Sequence, residues 1–290
     1  MRPMTMIVNP AAGSGYSLEV EKQLRESLAA QGTEAVFLRS EHPGQAEDLA
    51  RAAAADGAPT VVAVGGDGTN LEVAAGLVGT KTAMGIIPAG TGNDLIKTLG
   101  IPGKPLEALA HLLSHAPRPM DVGFLNGRPF LNVCGTGFDV RVLDNTERFK
   151  KRFRGKLAYL LGLIRTVKEN DPIEAEIETD AGEKIHRKLL LCSIANGIFI
   201  GGGIPICPAA KPDDGLLDLV MVEAVSRMQV VRHLPGLMKA KVLDFDITTH
   251  QLCRSLRLRV PNMRIQIDGE ITPMEEACFE LKPGALLVHW

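Results

Sequence analysis

Residues 65–69 read Gly-Gly-Asp-Gly-Thr and follow the apolar run Val61-Val62-Ala63-Val64. A β-branched run bounded by glycines reads as a buried strand. Glycine permits positive φ and close backbone approach, and successive N–H groups in such a turn form a concavity that holds phosphate. Asp67 is the charge that phosphate repels, unless a cation lies between them. A backbone phosphate cradle beside a metal-ready carboxylate is the equipment of phosphoryl transfer. Taken alone, the block fits a tight turn with a solvated Asp equally well.

Two further glycine loops end apolar runs. Asn9-Pro10-Ala11-Ala12-Gly13-Ser14-Gly15 follows Met6-Ile7-Val8 and can aim N–H groups and a helix N-terminus at phosphate. No Lys-Ser/Thr pair follows its glycines, so it is not a Walker A loop, and it equally suits a plain strand–helix connector. Pro88-Ala89-Gly90-Thr91-Gly92-Asn93-Asp94 follows Ala83–Ile87; Asn93 or Asp94 can cap the next helix, and Thr91 can donate to a phosphate. Asp268-Gly269-Glu270 closes an alternating run. It reads either as an Asp-Gly hairpin turn or as rigidly held carboxylates within reach of an attacking hydroxyl.

The elements around these loops alternate in the first third of the chain. Strands are expected at 6–8, 35–38, 61–64 and 83–87, with helices at 17–30, 44–55, 70–77 and from 93. That alternation predicts a mostly parallel α/β sheet, whose ligands bind beyond the carboxyl ends of the strands. All three glycine loops lie at such ends. Beyond about residue 118 the patterning has period two, as in Ile173-Glu-Ala-Glu-Ile-Glu178, Leu256–Val260 and Ile265–Ile267, which predicts antiparallel sheet with one wet face. Helices are expected at 156–168 and 226–241. The reading is α/β + β: residues 1–120 form an α/β domain, and 121–290 a β-rich domain whose tail can pack back on the first. The change is placed at the Pro117-Arg-Pro119 hinge.

Bulk numbers narrow the function classes. The chain has 290 residues, 45% of them apolar, and a net charge of −2, which argues against general nucleic-acid binding. Five cysteines without a C-x-x-C pair argue against a disulfide framework and fit a reducing cytoplasm. The seven histidines form no metal-ligand grouping along the sequence. No Gly-x-Ser-x-Gly elbow occurs, so a hydrolase triad has no support. The uncharged stretch Leu189–Ala210 contains Gly201-Gly202-Gly203, Pro205 and Pro208, so it reads as strand, glycine loop and strand rather than a membrane span. No secretory leader is read in the first residues.

In this order, Asn-Pro-x-x-Gly, Gly-Gly-Asp-Gly-Thr and Pro-x-Gly-Thr-x-Asn-Asp resemble the diacylglycerol kinase catalytic-domain family, which includes soluble bacterial diacylglycerol kinases and sphingosine kinase-like lipid kinases. Downstream, Pro212-Asp213-Asp214-Gly215-Leu216-Leu217-Asp218 and Asp268-Gly269-Glu270 continue the likeness. The resemblance implies a Rossmann-like domain of the NAD kinase/diacylglycerol kinase type, followed by an antiparallel β-sandwich-like domain. It implies ATP and Mg²⁺ as cofactors and a lipid hydroxyl as acceptor, diacylglycerol first, giving phosphatidic acid. ATP contacts would be Asn9, Pro10, Ala11, Ala12, Gly13, Ser40, Gly65, Gly66, Asp67, Gly68, Thr69, Asn70 and Thr91. Asp67 would adjoin the catalytic Mg²⁺, with Asp121 in the same carboxylate network. Asp268 or Glu270 would be the base. Asp214, with the carbonyls of Lys211 and Leu216, would hold a second, structural Mg²⁺. The family commonly has an asparagine two residues after the threonine; here Asn70 follows Thr69 directly, a rotation of about 100° on a helix.

Arg148, Lys150, Lys151, Arg152, Arg154 and Lys156 interleave with Phe149 and Phe153 and precede Leu157-Ala-Tyr-Leu-Leu-Gly-Leu-Ile164. Basic residues beside apolar ones suit an anionic membrane surface, ahead of a solvated charged face or an RNA patch. The expected location is therefore cytoplasmic and peripheral to the membrane, with a lipid partner, no nucleic acid, and a strand edge that leaves room for a homodimer. The competing functions are a soluble-acceptor kinase of the NAD kinase superfamily and a non-catalytic nucleotide- and lipid-binding protein.

Overall fold

The structure is a computed structural model in which residues 3–150, 152–153 and 156–290 are described. Strands β1 (Met4–Val8), β2 (Ala35–Arg39), β3 (Thr60–Gly65) and β4 (Ala83–Pro88) pair in parallel, in the order β2-β1-β3-β4. Helices α1 (Tyr16–Ala30), α2 (Gln45–Ala55), α3 (Asp67–Leu77), α4 (Asp94–Leu99) and α5 (Pro105–Ser114) complete this half. The order reverses between β1 and β3, so the loops that follow these two strands open at the switch point, where such sheets bind ligands. Val61 to Val64 are all fully buried. Their unbroken apolar run is what a parallel strand covered on both faces requires.

The second half opens with β5 (Pro117–Leu125), β6 (Arg128–Phe130) and β7 (Val133–Gly137), followed by α6 (Phe138–Lys150), α7 (Lys156–Glu169), β8 (Ile173–Thr179) and β9 (Lys184–Ala195). A two-stranded hairpin, β10 (Phe199–Ile200) and β11 (Ile204–Pro205), leads to β12 (Leu217–Glu223) and α8 (Arg227–Leu237). Then come β13 (Thr248–Cys253), β14 (Ser255–Arg259), β15 (Arg264–Ile267), β16 (Glu270–Pro273) and β17 (Ala277–His289). The pairing here is antiparallel, with β7, β8, β9, β12 and β14 as its centre. One face buries Ile177, Leu219, Leu256 and Phe279; the other buries Leu191, Val220, Val222 and Val230. β17 joins the halves. Its first residues pair with β14, and Leu287 and Val288 extend the parallel sheet beside β4.

Three differences from the sequence expectations have physical causes. α3 begins at Asp67 rather than residue 70, which places an acid in its first turn, where the helix dipole favours it. α8 ends at Leu237 rather than Lys241; Pro235 and Gly236 stop it, while Ser226 and Gln229 form its capping box. Residues 117–119 are strand and not a hinge, paired with Leu287–His289; a proline on an exposed strand end needs no ladder partner. α5 and α6 had no counterpart in the sequence reading. The uncharged stretch from Leu189 does fold as strand, glycine turn and short strand, and no helix among the described residues is long and apolar enough to cross a membrane.

Candidate active site

The loops after β1, β3 and β4 converge with Ser40, which follows β2, on a cavity of about 520 Å³. Asn9, Gly13, Ser40, Gly66, Thr69, Thr91 and Glu270 are among its walls. Asn9 is the local organiser. Its side chain donates to Thr69 Oγ1 at 3.0 Å and accepts from Ala11 N at 3.0 Å. Its carbonyl accepts from Ala12 N and from Ser17 Oγ. Two of the loop's amides are thus occupied in shaping the turn, and Gly13 takes φ 59° against it. A side chain at Gly13 would overlap the Ala89 carbonyl, and one at Gly90 would overlap Gly66. Glycine is what lets these three loops pack together. Asn70 lies buried beside them, its side-chain oxygen without a hydrogen-bond partner among the described residues.

Asp67 points away from the cavity floor toward α4. Its Oδ1 accepts from the first amides of that helix, Asp94 N at 2.8 Å and Leu95 N at 3.2 Å. Among the described residues no donor reaches Oδ2, which faces Gly92. Burial raises the Asp67 carboxyl above its ordinary range, the two amides oppose the rise, and the Asp94 charge adds to it. Asp94 is itself buried, held by Lys97 Nζ at 3.0 Å and Gly202 N at 2.8 Å.

Asp268 approaches from the other half, at φ 45°. Both its oxygens are engaged: Oδ2 by Leu131 N at 2.8 Å, and Oδ1 by Asn132 N at 2.9 Å and Val133 N at 3.1 Å. Burial still pushes its carboxyl up to about 6, with the Asp67 charge contributing. Asp67, Asp94 and Asp268 share one small polar cleft with Gly201, Gln266 and Gly269. Glu270, two residues on, is exposed and faces the glycine-walled cavity. The two halves therefore bring paired acids to a single point, beside a cavity lined by backbone.

The remaining site residues lie elsewhere. Asp121 braces the loop that contains Lys211, Asp214 and Leu216: its Oδ2 accepts from Gly215 N and its Oδ1 from Gly284 N, both at 2.7 Å. Asp214 is exposed, and its Oδ1 accepts from Leu216 N at 3.1 Å. Distant chain segments also assemble a histidine grouping invisible in the sequence, Cys207, Asp218 and His250. His250 Nε2 sits 2.6 Å from Asp218 Oδ1. That is hydrogen-bond spacing, shorter than the roughly 3.3 Å separating two tetrahedral zinc ligands. The grouping is thus an acid–imidazole pair with a buried thiol beside it.

Residues 3–125 match the diacylglycerol kinase catalytic domain, and residues 132–290 match the YegS C-terminal NAD kinase β-sandwich-like domain. The chain belongs to the diacylglycerol kinase family. A diacylglycerol kinase of Mycobacterium tuberculosis is 30% identical over 98% of this chain and 94% of its own. A YegS-like lipid kinase of Pseudomonas aeruginosa is 34% identical over 92% of this chain and 89% of its own. A crystal structure of a diacylglycerol kinase from Bacillus anthracis superposes with a TM-score of 0.81 at 28% identity, covering 99% of this chain and 96% of that one.

Within this family fold the structure adds residues that sequence reasoning passed over. Asp94 was read only as a cap, and Lys97 not at all; the signal for both was the acid after the third glycine loop with a lysine at i+3. Gln266 lies on β15, buried, donating to Val133 O and accepting from Gly269 N, so it fixes the Asp268-Gly269 turn. Its alternating neighbours marked it as a wet-face residue, and nothing local contradicted that.

Proposed function

We propose that the protein is an ATP-dependent lipid kinase that phosphorylates a free lipid hydroxyl, with diacylglycerol as the first acceptor to test. One observation carries this reading. The acid cleft lies between the glycine-walled cavity and a second, apolar cavity of about 140 Å³, with which it shares Ile200, Gly201, Gln266 and Gly269. Val142, Leu163, Leu191, Ile206 and Leu234 line that second cavity. Such walls suit acyl chains and offer little to NAD or a polyol.

ATP would lie along the loops after β1, β3 and β4 with its phosphates toward Asp67. The free Oδ2 of Asp67 beside Asp94 is a hard-oxygen donor set of the kind that holds Mg²⁺. When bound, that ion would offset the charge of the phosphates. Asp268 or Glu270 accepts the proton as the acceptor oxygen bonds to the γ-phosphorus; the bond from that phosphorus to the β-phosphate oxygen breaks, and ADP leaves with the electron pair. Lys97 brings a positive charge to the same corner.

The acceptor resides in a bilayer, and the surface above the apolar cavity fits one. Leu157, Leu160 and Ile164 stand exposed on α7, and Met238 just after α8. Arg148, Lys150 and Arg152, all exposed, precede α7 in the chain; Lys151 and Arg154 of the basic run lie outside the described residues. Anionic vesicles are the proposed partner surface.

The test is an acceptor screen with γ-labelled ATP and Mg²⁺, using mixed micelles of diacylglycerol, ceramide, sphingosine or phosphatidylglycerol, with NAD and glycerol as soluble controls. Label entering a lipid, and lost in Asp67→Asn, is the expected result. Label entering only NAD or glycerol overturns it.

A further inference from the structure

Asp139, in the first turn of α6, is 9% exposed, and neither of its carboxylate oxygens has a hydrogen-bond partner among the described residues. A buried polar group left unsatisfied is costly, so it calls for an explanation. Its position supplies one. The carboxyl occupies space kept open by Gly135, where any side chain would collide with Asp139 Oδ2. It lines the apolar cavity at the same end as Gln266 and Gly269, the two residues next to the Asp268 turn. The aliphatic walls extend from there toward Leu234 and Met238. Among the described residues no cationic side chain lines this cavity or contributes to holding the carboxyl ionised. Burial brings the carboxyl up to about 6 against the opposing pull of the Val140 and Asp139 amides and the Gln266 side-chain amide, and an apolar occupant that excludes water pushes it further up. A carboxylic acid kept neutral by an apolar site can donate a hydrogen bond.

Building on the lipid-kinase reading, we propose that Asp139 acts as a neutral hydrogen-bond donor that receives an ester carbonyl of the acceptor, seating the acyl chains in the apolar cavity and the free hydroxyl at the acid cleft. Asp139 is thus a specificity residue: it favours acyl-ester lipids over those whose chains carry no carbonyl. The reacting hydroxyl is left for Asp268 or Glu270, and no proton leaves Asp139 in the reaction.

The experiment measures binding of dioctanoylglycerol and of its dioctyl ether analogue by calorimetry in the absence of ATP, and phosphoryl transfer to each in its presence. Wild-type protein is compared with Asp139→Asn and Asp139→Ala after thermal melting has verified folding. The wild type is expected to bind the ester about tenfold more tightly than the ether, and Asp139→Ala to lose about that factor for the ester alone. Asp139→Asn retains a donor and is expected to stay within about threefold of the wild type, since a neutral donor is replaced by a neutral donor. Asn as weak as Ala overturns the neutral-donor assignment, because only an ionised acid would lose function on that change. Equal binding of ester and ether by the wild type overturns it without any variant, even if both variants fail to fold. No binding of the ester by the wild type also overturns it. Ester binding that depends on Asp139, without label transfer to any lipid, supports this inference and sinks the kinase reading instead.

Discussion

The glycine-walled cavity and the apolar cavity meet at the same acids but are built from different materials. The first is made of main chain: loops of small residues whose amides and carbonyls shape the wall, held by Asn9 and Thr69. The second is made of side chains drawn from α6, α7, β9, β11 and α8. Backbone can recognise only what every nucleotide offers, phosphate and close contact. Side chains set size, apolarity and polar anchors, so on the proposed reading the choice of acceptor resides in the second half.

The sharpest break of that comparison is at the junction. Asp67→Asn keeps an oxygen for the amides of Asp94 and Leu95 and removes the charge. Transfer is expected to fall by on the order of a hundredfold or more, with ATP binding and folding retained. Filter binding of ATP alongside γ-label transfer checks it; loss of both together would make Asp67 a structural residue.

Next in size is the choice of base. Asp268 has both oxygens filled by three backbone amides, so Asp268→Asn turns an amide toward amides and is expected to destabilise the fold by about 1–3 kcal/mol. Glu270→Gln touches nothing comparable. If Glu270 is the base, its variant loses roughly a hundredfold in kcat without a change in melting temperature. If Asp268 is the base, the pH–rate profile rises through about 6, where its carboxyl ionises. A limb well below 6 removes Asp268 from that role.

How much of this was legible follows the same division. Asn9–Gly15, Gly65–Thr69 and Pro88–Asp94 were readable because each does its work within a few consecutive residues, and the parallel sheet followed from strand–helix alternation. The apolar cavity was not readable: Asp139, Leu191, Ile204 and Leu234 come together only through antiparallel pairing and helix docking across nearly a hundred residues. Phe138–Lys150 also hid as a helix because acids and an arginine break its apolar stripe. Local patterns reveal local devices, and Asp139 depends on contacts no window contains.

Asp139 also sets a pH dependence of stability. Its carboxyl is raised to about 6 in the folded protein from an unfolded value near 4. A carboxyl raised on folding stabilises the protein below the unfolded value, and that contribution is lost as pH rises through 6. Melting temperature should therefore fall between pH 4 and 7 by more in the wild type than in Asp139→Asn. At pH 8 the Asn variant is expected to be the more stable, by up to about 3 kcal/mol. Parallel melting curves for the two proteins would show that the carboxyl does not carry the burial penalty.

On the backbone side, Gly90→Ala tests whether small loops are a requirement. Its Cβ would press on Gly66, so the two loops must part. Overpacking of this kind costs about 1–3 kcal/mol, and ATP affinity should drop with it. Acceptor preference, measured as the ester-to-ether ratio at saturating ATP, should stay as it is. A shift in that ratio would mean the cavities are mechanically coupled and the division drawn above is too clean.

The smallest effect belongs to the surface over the apolar cavity. Leu160 is 50% exposed on α7, one turn from Leu157 and Ile164, so Leu160→Glu costs the fold little. Inserting a single leucine in the interface is worth at most about 1–2 kcal/mol, and a glutamate there also repels anionic lipid. Vesicle flotation with phosphatidylglycerol membranes should show a several-fold loss of binding, while transfer to micellar dioctanoylglycerol stays at the wild-type rate. That pairing is informative because it separates reaching the bilayer from seating the lipid: on the proposed reading the exposed stripe governs the first, and the side-chain-built cavity beneath it governs the second. Equal loss in vesicles and micelles would place Leu160 in the acceptor path itself and move the boundary between surface and cavity outward by one helix turn.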